Sequence, residues 1–148
     1  MDDDVQPDNE SADLSEVVSI LTPLRQHRQA SAERRQRDLQ ALVERTADQL
    51  EAGQRELQRE RELQGQQRAA LTQTNSLRTV DLTTIDVWHA EERRLLHHLD
   101  DMEGRVALMR DNLTQLKTAL DQARLHTKSC QRAVEKLGCL IELLEHAS

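Results

Sequence analysis

From Ile85 to Leu144, apolar residues recur at alternating steps of three and four: Ile85, Trp88, Leu95, Leu99, Met102, Val106, Met109, Leu113, Leu116, Leu120, Ala123, Cys130, Val134, Leu137, Ile141 and Leu144. Only Glu92 and Thr127 interrupt the run, so sixteen of its eighteen positions are apolar. That spacing marks one face of an α-helix. Sustained over so many heptads, it predicts a coiled-coil seam on a helix roughly 90 Å long. A lone helix has no interior, so the seam requires a second helix to cover it.

The first half of the chain supplies that helix with a poorer face. Its best seam is Leu39, Val43, Thr46, Leu50, Gly53, Leu57, Glu60, Gln64, Gln67 and Leu71, of which only the four leucines and Val43 are good core residues. Leu42 and Leu63 flank this stripe and widen it. Gly53 inside a helix costs about 1 kcal/mol relative to Ala. The stretch QRELQRERELQGQQR is instead an Arg/Gln/Glu surface with many i,i+4 pairs, each contributing about 0.2–0.5 kcal/mol.

Between the arms, TQTNSLRTVDLTT (72–84) has the Thr/Asn/Ser composition of a turn. Thr83 or Thr84 is expected to cap the second arm, with Asp86 in its first turn. The expected fold is all-α: a long antiparallel two-helix coiled-coil hairpin over residues 12–145. Arm one covers about 23–71, the tip about 72–84 and arm two about 85–145. Residues 1–11, short and acidic, are expected to be a disordered head. Next, SADLSEVVSILTP carries Leu14, Val17, Val18 and Leu21 on a short amphipathic helix. Thr22-Pro23 fits an N-cap followed by Pro at the first helical position, which restarts the long helix; a Pro kink is the alternative.

Composition agrees with long helices and argues against a broad globular core. Charged residues make up 32% of the 148 and aromatics 1%, with four Gly and two Pro. Large aromatics supply much of the buried area in compact cores, and this chain has only Trp88. The net charge of −7 resides wholly in residues 1–24, which carry seven acids and no Lys or Arg. LRQHRQASAERRQR follows, with Arg25, Arg28, Arg34, Arg35 and Arg37 against Glu33 alone. A nucleic-acid contact has its starting point there, but no aromatic lies nearby to stack bases. The plainer reading is a solvated helix face beside an acidic head.

Cys130 and Cys139, nine residues apart on one helix, are separated by roughly 13 Å, too far for a disulfide. Cys130 falls on the seam as a small apolar residue, and the pair suggests a reducing compartment. No apolar run is long enough to cross a membrane, and the acidic N-terminus lacks the basic region of a secretory signal. His126 and Cys130 stand at i,i+4, a spacing that places two metal ligands on one face, but only Cys139 is close enough in sequence to add a third. His89, His97 and His98 lack the spacing of a helical di-metal site. The four glycines are isolated, so no phosphate-cradling loop is expected. Neither an enzyme nor a cofactor is expected.

Three stretches, LRQHRQASAERRQRDLQALVE, QRELQRERELQGQQRAAL and CQRAVEKLGCLIELLE, give nearly the whole chain a resemblance to the FliJ/YscO/HrpO-like stalk proteins of flagellar and type III secretion systems. The resemblance implies a cytoplasmic central stalk. Its paired termini would enter the pore of a hexameric secretion ATPase and its other end would face the export gate, with export chaperones as further partners. The base would comprise roughly residues 14–39 and 126–145. The expected partner-binding residues there are Arg25, Arg28, Arg34, Arg35, Arg37, Leu137, Leu140, Ile141 and Leu144. The acidic head departs from what a pore would accept easily. Two other roles compete: a homo-oligomeric scaffold in which the strong seam pairs with its own copy, and an Arg-mediated nucleic-acid binder.

Overall fold

A computed structural model describes residues 7–76 and 81–147. All of them except Asp81 are helical, in α1 (Pro7–Ser76) and α2 (Leu82–Ala147), which pack on each other as a helical hairpin. Contacts fall into two compact units: a base, containing residues up to Leu42 and from Leu116 onward, and a tip, Val43–Gln115.

All eighteen seam positions of α2 are buried or half-buried, and so are those of α1 from Leu39 to Leu71 except Gln67. In the base the α1 seam continues backwards through Leu39, Gln36, Ala32, Gln29, Arg25, Leu21 and Val18. Val18, Ala32, Leu120, Ala123 and Leu137 form its buried apolar core. In the tip the core is Val43, Leu50, Leu57, Val106 and Leu113. Leu42 is half-buried and adds to the contact, whereas Leu63 faces solvent.

Both polar interruptions of the strong seam are matched from α1. Glu92 Oε1 accepts from Arg68 Nη2 at 2.8 Å and Nε at 3.2 Å. The buried Thr127 hydroxyl donates to Ala123 O at 2.9 Å, with Ala32 O at 3.3 Å across the pair. Arg61 and Glu103 add a bridge between the arms at 2.8 Å. These bonds join low to high residue numbers in descending order, which fixes the antiparallel register within each unit. Gly53 also lies at the contact, where a Cβ would stand 3.4 Å from Met109 Sδ and 3.7 Å from Val106 Cγ2, within ordinary van der Waals range.

The helix ends differ from the expected ones. α1 does not restart at Pro23; it begins at Pro7 and runs through Pro23. Pro removes one backbone donor but does not end a helix held by packing on both sides, and Val18 and Arg25 both face α2 here. Of the head expected to be disordered, residues 1–6 lie outside the described residues and 7–11 are the first turn of α1. Pro at a first helical position, with Glu10 and Asp13 close behind, suits a helix N-terminus. The expected tip at 72–84 is largely helical, and 77–80 lie outside the described residues. The cap of α2 is Asp81, not Thr83 or Thr84. Its Oδ1 accepts from Thr84 N at 2.9 Å and from the Thr84 hydroxyl at 2.5 Å, and Ile85 N donates to Asp81 O at 3.2 Å. Asp86 therefore lies beyond the first turn.

Candidate partner-binding surface

The five arginines of LRQHRQASAERRQR are close in sequence but diverge on the helix, because neighbouring residues are turned about 100° apart. Arg25 falls on the seam. It is half-buried, and its Nη1 donates to the backbone carbonyl of Ala133 on α2 at 2.9 Å. That carbonyl lies inside a helix, so the guanidinium acts as a clamp between the arms. Arg34 and Arg35 are exposed and line a shallow groove with Ser31, Asp38, Leu39 and Leu42. Arg37 lies on a different side of the base, beside Glu33, Gln36, Thr127 and Gln131. Arg28 is exposed.

The apolar candidates divide in the same way. Leu137 is 4% exposed and belongs to the core, which leaves nothing for a partner to touch. Leu140, Ile141 and Leu144 are half-buried at the rim of the contact. The large apolar groups open to solvent at the base, among the described residues, are Leu14, Val17, Ile20, Leu24, Leu125 and Leu143. Of these, Leu14 and Val17 stand out in the sequence as part of an amphipathic pattern. The signal for Ile20, Leu24 and Leu143 is that each immediately precedes a seam position, 21, 25 and 144 respectively; Leu125 carries no such signal.

The histidine and cysteine pairs are ordinary surface chemistry. Cys130 Sγ and His126 Nε2 lie 3.7 Å apart, a contact within one helix turn, and Cys139 is exposed. His98 Nε2 lies 3.7 Å from Glu60 Oε1 in the tip, along an open groove with Leu71, Leu95 and Asp101. Trp88 stacks on His89 with ring centroids 5.3 Å apart. Among the described residues, no three His, Cys, Asp or Glu side chains are grouped to hold a metal ion. No helix among them is long and apolar enough to cross a membrane.

The fold and surface therefore define a protein of one class: a helical hairpin with exposed apolar and cationic side chains in both units, among them Val17, Ile20, Leu24 and Arg28 in the base and Leu82, Val87, Leu108 and Arg110 in the tip. The chain belongs to the YscO family of type III secretion proteins, since the family model described as Type III secretion protein YscO matches residues 18–148. No curated protein and no solved structure matches it. The family places the chain in type III secretion, with its partners among the proteins of that apparatus.

Proposed function

We propose that the hairpin is a cytoplasmic stalk of a type III secretion apparatus. Its base engages the hexameric export ATPase, its tip is directed towards the export gate, and export chaperones are further ligands of the same surface. The observation that carries this reading is the composition of the base, where Val17, Ile20, Leu24 and Leu143 are exposed and Arg28, Arg34 and Arg35 are exposed further along α1. Helix faces combining apolar anchors with arginine are the composition enriched at protein interfaces. Family membership supports the setting. The full chain, immobilised and exposed to the cytosol of a cell carrying the apparatus, is expected to retain the export ATPase. Leu143→Glu combined with Arg34→Ala and Arg35→Ala is expected to release it. Retention of other apparatus proteins without the ATPase would refute the stalk role.

A further inference from the structure

The base has two unlike sides. In an antiparallel helix pair, residues turned the same way from each helix's seam fall on one side of the pair. One such side consists of the residues immediately preceding the seam positions. On α2 it carries Lys136, Leu140 and Leu143. On α1 it reads, in chain order, Glu10, Asp13, Val17, Ile20, Leu24, Arg28, Ser31 and Arg35, all exposed. The residues following the seam, on the opposite side, are mostly polar and carry no large apolar group: Ser19, Gln26, Ala30 and Glu33 on α1, Glu135, Gly138 and Glu142 on α2. Val17, Ile20 and Leu24 are 50%, 63% and 42% exposed, too open to be counted as part of the core. The contacts Arg25–Ala133 and Thr127–Ala32 set Ile20 level with Gly138 and Cys139, within a turn of Leu140, so apolar residues of both helices lie at nearly one height.

The order along α1 is acidic, apolar, basic. Such a face complements itself when turned end for end. Glu10, Asp13, Arg28 and Arg35 make no hydrogen bond or ion pair with another described residue, so their charges are available. We infer that this side of the base docks a second copy of the chain across a two-fold axis, α1 lying antiparallel on its copy. A two-fold contact is isologous, so each residue pair occurs twice. Centred between Ile20 and Leu21, it sets Val17 against Leu24 and Asp13 against Arg28, with Glu10 one turn further on towards Ser31 and Arg35. Leu140 of each α2 meets its counterpart beside that centre. An axis parallel to the helices would instead set the two acidic ends level with each other, and like charges disfavour it. The contact covers the apolar side of chains not engaged by the apparatus, and it does not depend on the stalk role.

Sedimentation equilibrium of the full chain, from low micromolar to submillimolar concentration, is expected to show a reversible monomer–dimer equilibrium. Ile20→Glu puts two carboxylates at the axis and is expected to raise the dissociation constant about a hundredfold. Asp13→Arg and Arg28→Asp each replace two attractions by two repulsions, with an expected loss of about tenfold. An equimolar mixture of the D13R chain with the R28D chain is expected to recover dimer as a heterodimer, because both pairs are then opposite in sign. All these positions are exposed, and circular dichroism checks that each variant keeps its helix content. A monomer at every concentration overturns the inference. A dimer indifferent to Ile20→Glu, or a charge-swapped mixture no tighter than its separate components, overturns it equally.

Discussion

Gln64 sits on the α1 seam where a leucine belongs, 1% exposed, and its Oε1 has no hydrogen-bond partner. Its Nε2 donates to Glu60 Oε1 on the same helix at 3.2 Å, so only half of the amide is satisfied. A buried acceptor without a partner costs about 1–3 kcal/mol, and Leu has nearly the same volume. Gln64→Leu is therefore expected to stabilise the hairpin by about 1–2 kcal/mol, read as a higher urea midpoint at unchanged slope. A lower midpoint would show that the amide is satisfied in solution. Asp81 is the opposite case, a polar group with every reason to be where it is. The Thr84 hydroxyl and then the Thr84 N–H, both donating to its carboxylate, hold its pKa below the ordinary value of 3.8. A carboxylate with a depressed folded pKa contributes stability that is fully present above the unfolded value and lost as pH falls through the folded one. The first turn of α2 is thus expected to fray below about pH 4, visible as amide chemical-shift changes at Leu82–Ile85. Asp81→Asn should keep the cap and abolish the pH dependence; a titration unchanged by Asp81→Asn would assign the effect to another group.

The two helices are unequal partners, and the inequality was legible in the sequence. The α2 seam from Ile85 to Leu144 reads directly as a buried face, because a heptad pattern leaves only one face to cover. The α1 seam was legible from Leu39 to Leu71 despite its polar members, since register with a strong partner carries weak positions along. Three features were not. Arg25 read as a surface cation because charge in a sequence does not reveal which seam position a long side chain serves. Pro23 read as a helix start because propensity is local, whereas helix α1 is held by its contact with α2. The stripe Val17, Ile20 and Leu24 was hidden because the flank of a seam is recognisable only once the seam itself is fixed. Gly53 tests how tightly the two elements fit. A Cβ there would meet Met109 Sδ at 3.4 Å, ordinary contact with a flexible side chain. Gly53→Ala is expected to gain most of the helix propensity difference, about 0.5–1 kcal/mol, seen as a raised melting temperature. A loss would mean that Met109 cannot yield and that the elements meet more closely there than elsewhere.

At the scale of the whole molecule, apolar burial is not spread evenly along the chain. Most of the buried aliphatic residues lie at Val43, Leu50 and Leu57 on α1 and at Val106, Leu113, Leu120 and Ala123 on α2, with Ala32, Val18 and Leu137 nearer the chain ends. Towards the chain ends the α1 seam interleaves Gln36, Gln29 and Arg25 with the buried Ala32 and Val18, and towards the turn it becomes Glu60, Gln64 and Gln67. Burial thins from complete to partial towards the ends of each helix, and a helix without packing is marginal in water. Local opening free energies follow buried apolar contact, so a long hairpin of this kind opens from its ends and not all at once. Hydrogen exchange of the full chain is expected to be slowest over about residues 39–57 and 102–123, and faster by orders of magnitude towards Pro7, Ser76, Leu82 and Ala147. The thermal melt, followed by helical circular dichroism, is expected to be correspondingly broad. Uniform protection along both helices, with a sharp melt, would contradict this. The gradient matters for a protein that works through its surface: the chain-end turns of the base, beyond buried Val18 and Leu137, belong to the part that opens most easily. A partner that binds there gains affinity by ordering helix already close to formed, and its footprint should appear as new protection confined to the base.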